Sequence, residues 1–292
     1  MQVPDSLTQC WIEEVHKGVL GQRFRVKKSL FTGKSDFQQV DIVDTYGHGR
    51  MMFIDGLVML SERDEHVYHE MIAHVPLFCH PNPKRVLVIG GGDGGTIREV
   101  VRHPSVEQAV LVEIDALVVE VSKEFLPSTA SALDDPRVTV RIEDGVAFVK
   151  NTDQRFDVII VDSTDPIGPA APLFGTEFYE DVRRVLNENG IVVSQGESPY
   201  YEPDWQVALA EILAGVFPSV NFYNYHNVTY PGGLWSFSFA SKNAHPLNDF
   251  QQERWDQLQL ETKYYDPGIH HAAFALPRRQ KGLLAPFMRP LT

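Results

Sequence analysis

Short alternating runs open the chain. Phe24-Arg25-Val26, Val40-Asp41-Ile42-Val43 and Arg50-Met51-Met52-Phe53-Ile54 each fit a half-buried strand. Turn signals at Tyr46-Gly47-His48-Gly49 and Asp55-Gly56 separate them. Residues 1–64 therefore predict a small antiparallel β domain. From about Asp64 the pattern turns helical, through His66, Tyr68, Met71 and His74, and stops at Pro76. Beyond it, continuous apolar runs replace alternation: Arg85-Val86-Leu87-Val88-Ile89, then 109–112, 138–142, 158–161 and 190–194. Such runs suit strands buried on both faces. Helix-like stretches at 96–102, 116–125 and 176–186 lie between them. Residues 65–292 thus predict an α/β unit with a doubly wound, mostly parallel sheet. Residues 235–240 alternate cleanly and suit an added antiparallel strand.

Candidate chemistry sits at the ends of these runs. The first buried strand runs into Gly90-Gly91-Gly92-Asp93-Gly94-Gly95. Glycines there permit positive φ and a close ligand approach, as in nucleoside-binding turns. A tight strand-to-helix turn would use the same residues. Glu113 ends the next strand about twenty residues on, where an acid can accept from ribose hydroxyls. Asp144-Gly145 follows the third, where an acid can meet an adenine amino group. Together these describe an adenosyl pocket. Asp93 would repel a pyrophosphate or a carboxylate and welcome an ammonium, although it can also cap the following helix. The fourth strand ends in Asp162-Ser163-Thr164-Asp165-Pro166, two carboxylates where such sheets bind ligands. The Gly- and Pro-rich stretch after it suits a lid or a solvated loop.

Composition narrows the options. Of 292 residues, 43% are hydrophobic and 22% charged, ordinary for a soluble globular protein. The net charge of −13 speaks against nucleic acid as a partner and suits cationic ligands. No eighteen-residue apolar run and no secretory leader are visible, and two cysteines make no disulfide framework, so a cytoplasmic protein with no membrane contact is expected. The His270-His271 pair lacks matched ligand spacing, so no metal site is expected.

Taken in order, Tyr68-His69-Glu70-Met71, Val88-Ile89 with the glycine loop, Val112-Glu113-Ile114-Asp115, Asp144-Gly145 and Asp162-Ser163-Thr164-Asp165-Pro166-Ile167-Gly168-Pro169 resemble the spermidine synthase family over nearly the whole chain. The resemblance implies a Rossmann-like methyltransferase-type domain behind the β domain, assembly as a homodimer or homotetramer, and polyamine biosynthesis. It implies that Gln38, His69, Asp93, Glu113, Asp144 and Gly145 hold decarboxylated S-adenosylmethionine, a co-substrate and not a cofactor. It implies that Tyr68, Asp162, Asp165, Gln195 and Tyr230 line the amine site, with Asp162 as general base. On this footing Tyr68 orients the attacking nitrogen and Asp165 holds the far, charged end of a diamine such as putrescine. Met59 and Val228 depart from the family pattern and leave agmatine, cadaverine or spermidine open as acceptors. An S-adenosylmethionine-dependent amine N-methyltransferase and a silent adenosyl-binding subunit are the rival readings.

Overall fold

The structure is a computed structural model that describes residues 10–164 and 172–291. Strands β1 (Cys10–His16), β2 (Leu20–Lys34), β3 (Gln39–Thr45), β4 (Gly49–Ile54) and β5 (Leu57–Ser61) form an antiparallel sheet in chain order. The run at 24–26 proves to be part of a fifteen-residue strand. Register shifts at Val26/Lys28 and Ser29/Phe31 interrupt its period-two pattern, and β1 and β5 carried too little contrast to be predicted.

Helix α1 (Glu65–Cys79) continues one turn past Pro76, where the sequence reading stopped it. An internal proline costs a helix about 3 kcal/mol. Here Leu77, Phe78 and Cys79 are all completely buried beyond it. Full burial of a leucine or phenylalanine is worth about 1.5–3 kcal/mol each, enough to offset the proline.

The second sheet holds β6 (Arg85–Gly90), β7 (Gln108–Glu113), β8 (Val138–Ile142), β9 (Phe156–Asp162), β10 (Leu186–Gln195), β11 (Ser219–His226) and β12 (Leu234–Ser241). Their spatial order is β11-β12-β10-β9-β6-β7-β8. Pairings among β6 to β10 are parallel, and β12 runs against both its neighbours. This is the expected α/β core with an N-terminal antiparallel sheet. Val86 and Val88 pack towards Met71, Ile72 and Val75 of α1. Leu87 and Ile89 pack on the opposite face with Phe178 and Val182 of α5 (Thr176–Val185), which explains the unbroken apolar run. Helix α2 (Gly95–Val101) follows the glycine loop, and α3 (Ala116–Phe125) follows β7. Val40, Ile42, Ile54 and Leu60 of the first sheet cluster with Val118, Val121 and Leu126, so α3 is the anvil on which the N-terminal sheet docks. Among the described residues no helix is long and apolar enough to cross a membrane.

Candidate active site

The strand order reverses beside β6: β7 and β8 extend one way, β9 and β10 the other. A crevice opens at the carboxyl ends of strands at such a point. Gly90 and Asp162 are register partners across it. A Cβ on Gly90 would lie 2.1 Å from the Asp162 carbonyl oxygen, and its φ is +79°, so only glycine fits.

Asp162 is 9% exposed and its carboxylate is held from two sides. The Tyr68 hydroxyl donates to Oδ1 at 2.8 Å, and the Thr96 hydroxyl donates to Oδ2 at 2.6 Å. Burial, helped by the negative charge of Asp93, pushes its pKa above the usual carboxylate value, against the pull of His69 and the two hydroxyls. Asp93, His69 and Asp162 converge, with one polar atom from each lying within 4.8 Å of the others. His69 sits between two acids, Nδ1 2.6 Å from Glu65 and Nε2 3.3 Å from Asp93. Burial opposes its charge, but the two carboxylates outweigh burial and raise its pKa to about 10. Glu65 in turn is held down at about 2, against burial, by His69 and Arg98. The two carboxylates thus favour the protonated form of His69. Its ring lies 2.2 Å from where a Cβ on Gly95 would be, so that glycine makes room for it. Asp93 ties down the start of α2, its Oδ1 accepting the Gly95 N–H at 2.8 Å, and it also pairs with His69. Its charge is thus partly spent inside the protein.

On the other side of the glycine loop, Glu113 is 7% exposed. Its oxygens accept N–H groups of Gly92 at 3.2 Å and Asp115 at 2.9 Å. Burial, with help from the Asp115 charge, raises its pKa to about 7. Gln38 reaches the same place from the first sheet, its Nε2 donating to Asp115 Oδ2 at 3.0 Å. Asp115 also takes the Ser35 hydroxyl and caps α3 through the Leu117 N–H. Asp115, two residues from Glu113, was not among the residues expected at the site. Asp144 caps α4 (Gly145–Asn151) through the Val146 N–H at 2.8 Å.

Aromatic rings build the remaining wall. Tyr68 meets Tyr225, Tyr230 and Phe237 edge-on. The Tyr230 hydroxyl donates to the Met59 carbonyl at 2.6 Å. Gln195 exchanges hydrogen bonds with Glu197, whose N–H donates to Oε1 at 3.0 Å. Gln38, Tyr68, His69, Asp93, Glu113, Asp144, Gly145, Asp162, Gln195 and Tyr230 all line one cavity of about 1350 Å³ including its mouth. Asp165 and most of the proposed lid lie outside the described residues. Met59 lines the cavity, whereas Val228 does not: it is 62% exposed, and its N–H bonds Asp64. Of the two departures, only Met59 reaches the cavity. His270 is fully buried, with its nitrogens on the Tyr265 hydroxyl and the Pro246 carbonyl. Glu14, His16, Leu57 and Trp235 line the cavity without having been singled out from sequence. Only the alternation around Trp235 offered any signal.

Residues 65–252 match the family model of the spermine/spermidine synthase domain, and residues 10–62 match that of the spermidine synthase tetramerisation domain. A polyamine aminopropyltransferase of Alkaliphilus metalliredigens is 47% identical over 92% of this chain and 95% of its own. One of Bacillus subtilis is 46% identical over 93% and 98%. A crystal structure of a spermidine synthase in complex with the transition-state analogue AdoDATO superposes with a TM-score of 0.93 at 42% identity, covering 95% of each chain. The spermidine synthase of Thermotoga maritima gives 0.92 at 42% identity, over 96% of this chain and 95% of that one.

Proposed function

This chain belongs to the spermine/spermidine synthase family and is an aminopropyltransferase, and from that premise we propose that it transfers the aminopropyl group of decarboxylated S-adenosylmethionine to putrescine, yielding spermidine and 5'-methylthioadenosine. The observation that carries the reading is the buried Asp162 carboxylate, bonded to Tyr68 and Thr96 beside the glycine loop. Glu113 takes the ribose hydroxyls, and Asp144 with Gly145 meets the adenine. Gln38 closes that end. Asp93 meets the donor's terminal ammonium, with His69 behind it.

The chemistry is a displacement at carbon. The lone pair of the amine attacks the carbon beside the sulfonium, the C–S bond breaks, and its electrons stay on sulfur as a neutral thioether. Alignment of nitrogen with that bond removes much of the barrier. The amine must also be neutral. A lysine-like ammonium of pKa about 10.4 is only about 0.04% neutral at pH 7, a penalty of roughly 4–5 kcal/mol. Asp162 accepts its proton, and burial narrows the mismatch by raising the acid's pKa and lowering the ammonium's. Tyr68 orients the attacking nitrogen. Gln195 and Tyr230 line the amine's path, and Asp165 joins them on sequence grounds. The site works within a homodimer or homotetramer, supported by the match to a tetramerisation domain.

The deciding experiment incubates the protein with decarboxylated S-adenosylmethionine and putrescine, agmatine, cadaverine or spermidine, and identifies products by mass spectrometry. Spermidine and methylthioadenosine from putrescine at the highest kcat/KM are expected. Preference for another amine would move the acceptor; absence of any methylthioadenosine would end the reading.

A further inference from the structure

Thr96 is completely buried in the first turn of α2 and stands outside the residues that line the cavity. Its hydroxyl still touches the proposed base, donating to Asp162 Oδ2 at 2.6 Å, while the cavity-lining Tyr68 donates to Oδ1 at 2.8 Å. The carboxylate is therefore gripped between α1 and α2, one oxygen by each. The glycine loop lies against the same Oδ2: a Cβ on Gly91 would come within 2.6 Å of it. The two helices that form the grip are themselves joined. Arg98 of α2 forks onto Glu65 of α1, with nitrogen–oxygen distances of 3.0 and 2.8 Å.

These contacts make the two carboxylate oxygens unequal. The terminal torsion of an aspartate is broad and nearly two-fold when nothing holds it. An amine in the cavity can take the place of the Tyr68 hydroxyl at Oδ1, because Tyr68 and Asp162 both sit at the cavity wall. Thr96 stands behind the carboxylate, out of the amine's way. A hydroxyl fixed there keeps the orientation of Asp162 while the amine binds, and it favours the ionised form. The other groups facing the carboxylate pull both ways: Asp93 of the glycine loop opposes ionisation, His69 and Tyr68 of α1 support it, and Tyr225 of β11 and Tyr230 after β11 stand near as neutral phenols. Among the described groups that favour the carboxylate, Thr96 is the one that does not line the cavity.

We propose that Thr96 is a positioning residue for aminopropyl transfer: its hydroxyl anchors Asp162 Oδ2 from behind, so that Oδ1 alone is presented to the attacking nitrogen. The inference rests on the reading of Asp162 as the base. No proton passes through Thr96. The ammonium proton leaves for Oδ1, the freed lone pair forms the new C–N bond, and the electrons of the broken C–S bond stay on sulfur.

The test pairs two substitutions that divide the side chain. Thr96→Val keeps its shape and removes the hydroxyl; Thr96→Ser keeps the hydroxyl and removes the methyl. The full chain, saturated with decarboxylated S-adenosylmethionine and 1,4-diaminobutane, is followed through single turnovers as a function of pH. Losing a hydrogen bond to the charged form makes the acid easier to protonate, so in Thr96→Val the acid limb of the rate moves up by about one pH unit. On that limb the rate falls roughly tenfold, while the alkaline plateau changes far less and donor affinity hardly moves. Thr96→Ser keeps the unaltered profile. Thr96→Ala carries the expectation of Thr96→Val should that variant not fold. Carbon NMR of labelled aspartate, with the Asp162 signal assigned by its loss in Asp162→Asn, reads the same titration without turnover. An acid limb unmoved in the variants without a hydroxyl would overturn the proposal. So would an equal loss at every pH in Thr96→Val and Thr96→Ser, which would reduce Thr96 to a packing residue. The NMR tells two failures apart. A titration that shifts while the rate limb stays put removes Asp162 as base, and this inference with it. A titration and a limb that both stay put remove Thr96 alone.

Discussion

The two halves of the cavity are built by different rules. Around Glu113 and Asp144, each acid stands at or just past the end of a strand in an unbroken β6-β7-β8 series, and each is fixed by N–H groups close by. Around Tyr68 and Tyr230, the wall is assembled from β1, β5, α1, β10, β12 and the turn after β11. The Tyr230 to Met59 hydrogen bond spans 171 residues of sequence. The acids of the first half are in place once the seven-stranded sheet forms, and only Gln38 is added to them from the other sheet. The second exists only after the N-terminal sheet has docked on α3. A nucleoside needs a few acids at standard places, whereas an amine of particular length needs a wall assembled from many places, and on the proposed reading that wall is where specificity resides.

The sharpest way to break this division is at Asp162, which stands between the halves. Asp162→Asn keeps the shape and removes the proposed base, so kcat should fall by about 10²–10⁴ while the donor dissociation constant hardly moves. Rapid-mixing kinetics with calorimetry of donor binding checks both. A near-normal kcat would remove Asp162 from the mechanism. A parallel loss of donor affinity would show that the two halves are not separable.

Glu113→Gln should do the reverse. On the proposed reading it removes the carboxylate that takes ribose hydroxyls, so donor affinity should drop about tenfold or more, with amine KM little changed. The ligand-free protein should become more stable at the same time. The folded pKa of Glu113 is about 7 against an ordinary 4.5. An acid whose folded pKa is raised adds stability below the unfolded value and loses it as pH climbs through the folded one. At pH 8 the buried carboxylate therefore costs on the order of 3 kcal/mol. Glutamine removes that cost but accepts fewer hydrogen bonds, so a net gain of about 1–2 kcal/mol, or roughly 2–6 °C in Tm, is expected. A lower Tm at pH 8 would mean that the carboxylate is not strained.

The same pKa gives a smaller effect in the unaltered protein. If only ionised Glu113 takes the ribose, donor affinity should rise roughly tenfold between pH 6 and pH 8, with proton release on binding. Calorimetry in buffers of different ionisation enthalpy reads the proton. Glu113→Gln should abolish the dependence; its persistence there would assign it to another group.

What was legible in the sequence follows the same division. Glu113 and Asp144 could be placed because a parallel strand announces its own end, and the acid is a fixed short step away. The alternation switch near residue 64 likewise marked where one sheet gives way to the other. His16, Glu14 and the Tyr230 to Met59 link could not be read, because no local period says which strand of one sheet will face which turn of the other. The raised pKa of His69 was hidden for the same reason. Its charge depends on Asp93, supplied by a different element, as well as on Glu65 one helical turn away. Val228 shows the opposite error: a departure within a motif drew attention, but the side chain points into solvent and only its N–H is used.

The smallest effect tests whether the two halves communicate at all. Tyr230→Phe keeps the ring against Tyr68 and Trp235 and deletes the hydroxyl that ties the wall to β5. One neutral hydrogen bond is worth about 0.5–1.5 kcal/mol, so stability should fall by about 1 kcal/mol and the amine KM should rise several-fold. Glu113 and Asp144 take their hydrogen bonds from the catalytic sheet and its helices, not from β5, so the donor KM should not move. Gln38 and Ser35 both tie the N-terminal sheet to that side through Asp115, and Gln38 is the one of the two that lines the cavity. If the donor KM does rise with the amine KM, the double substitution Tyr230→Phe with Gln38→Ala locates the route. Additive effects would mean that Gln38 is not the carrier, and a donor effect absorbed into that of Gln38→Ala would mean that it is.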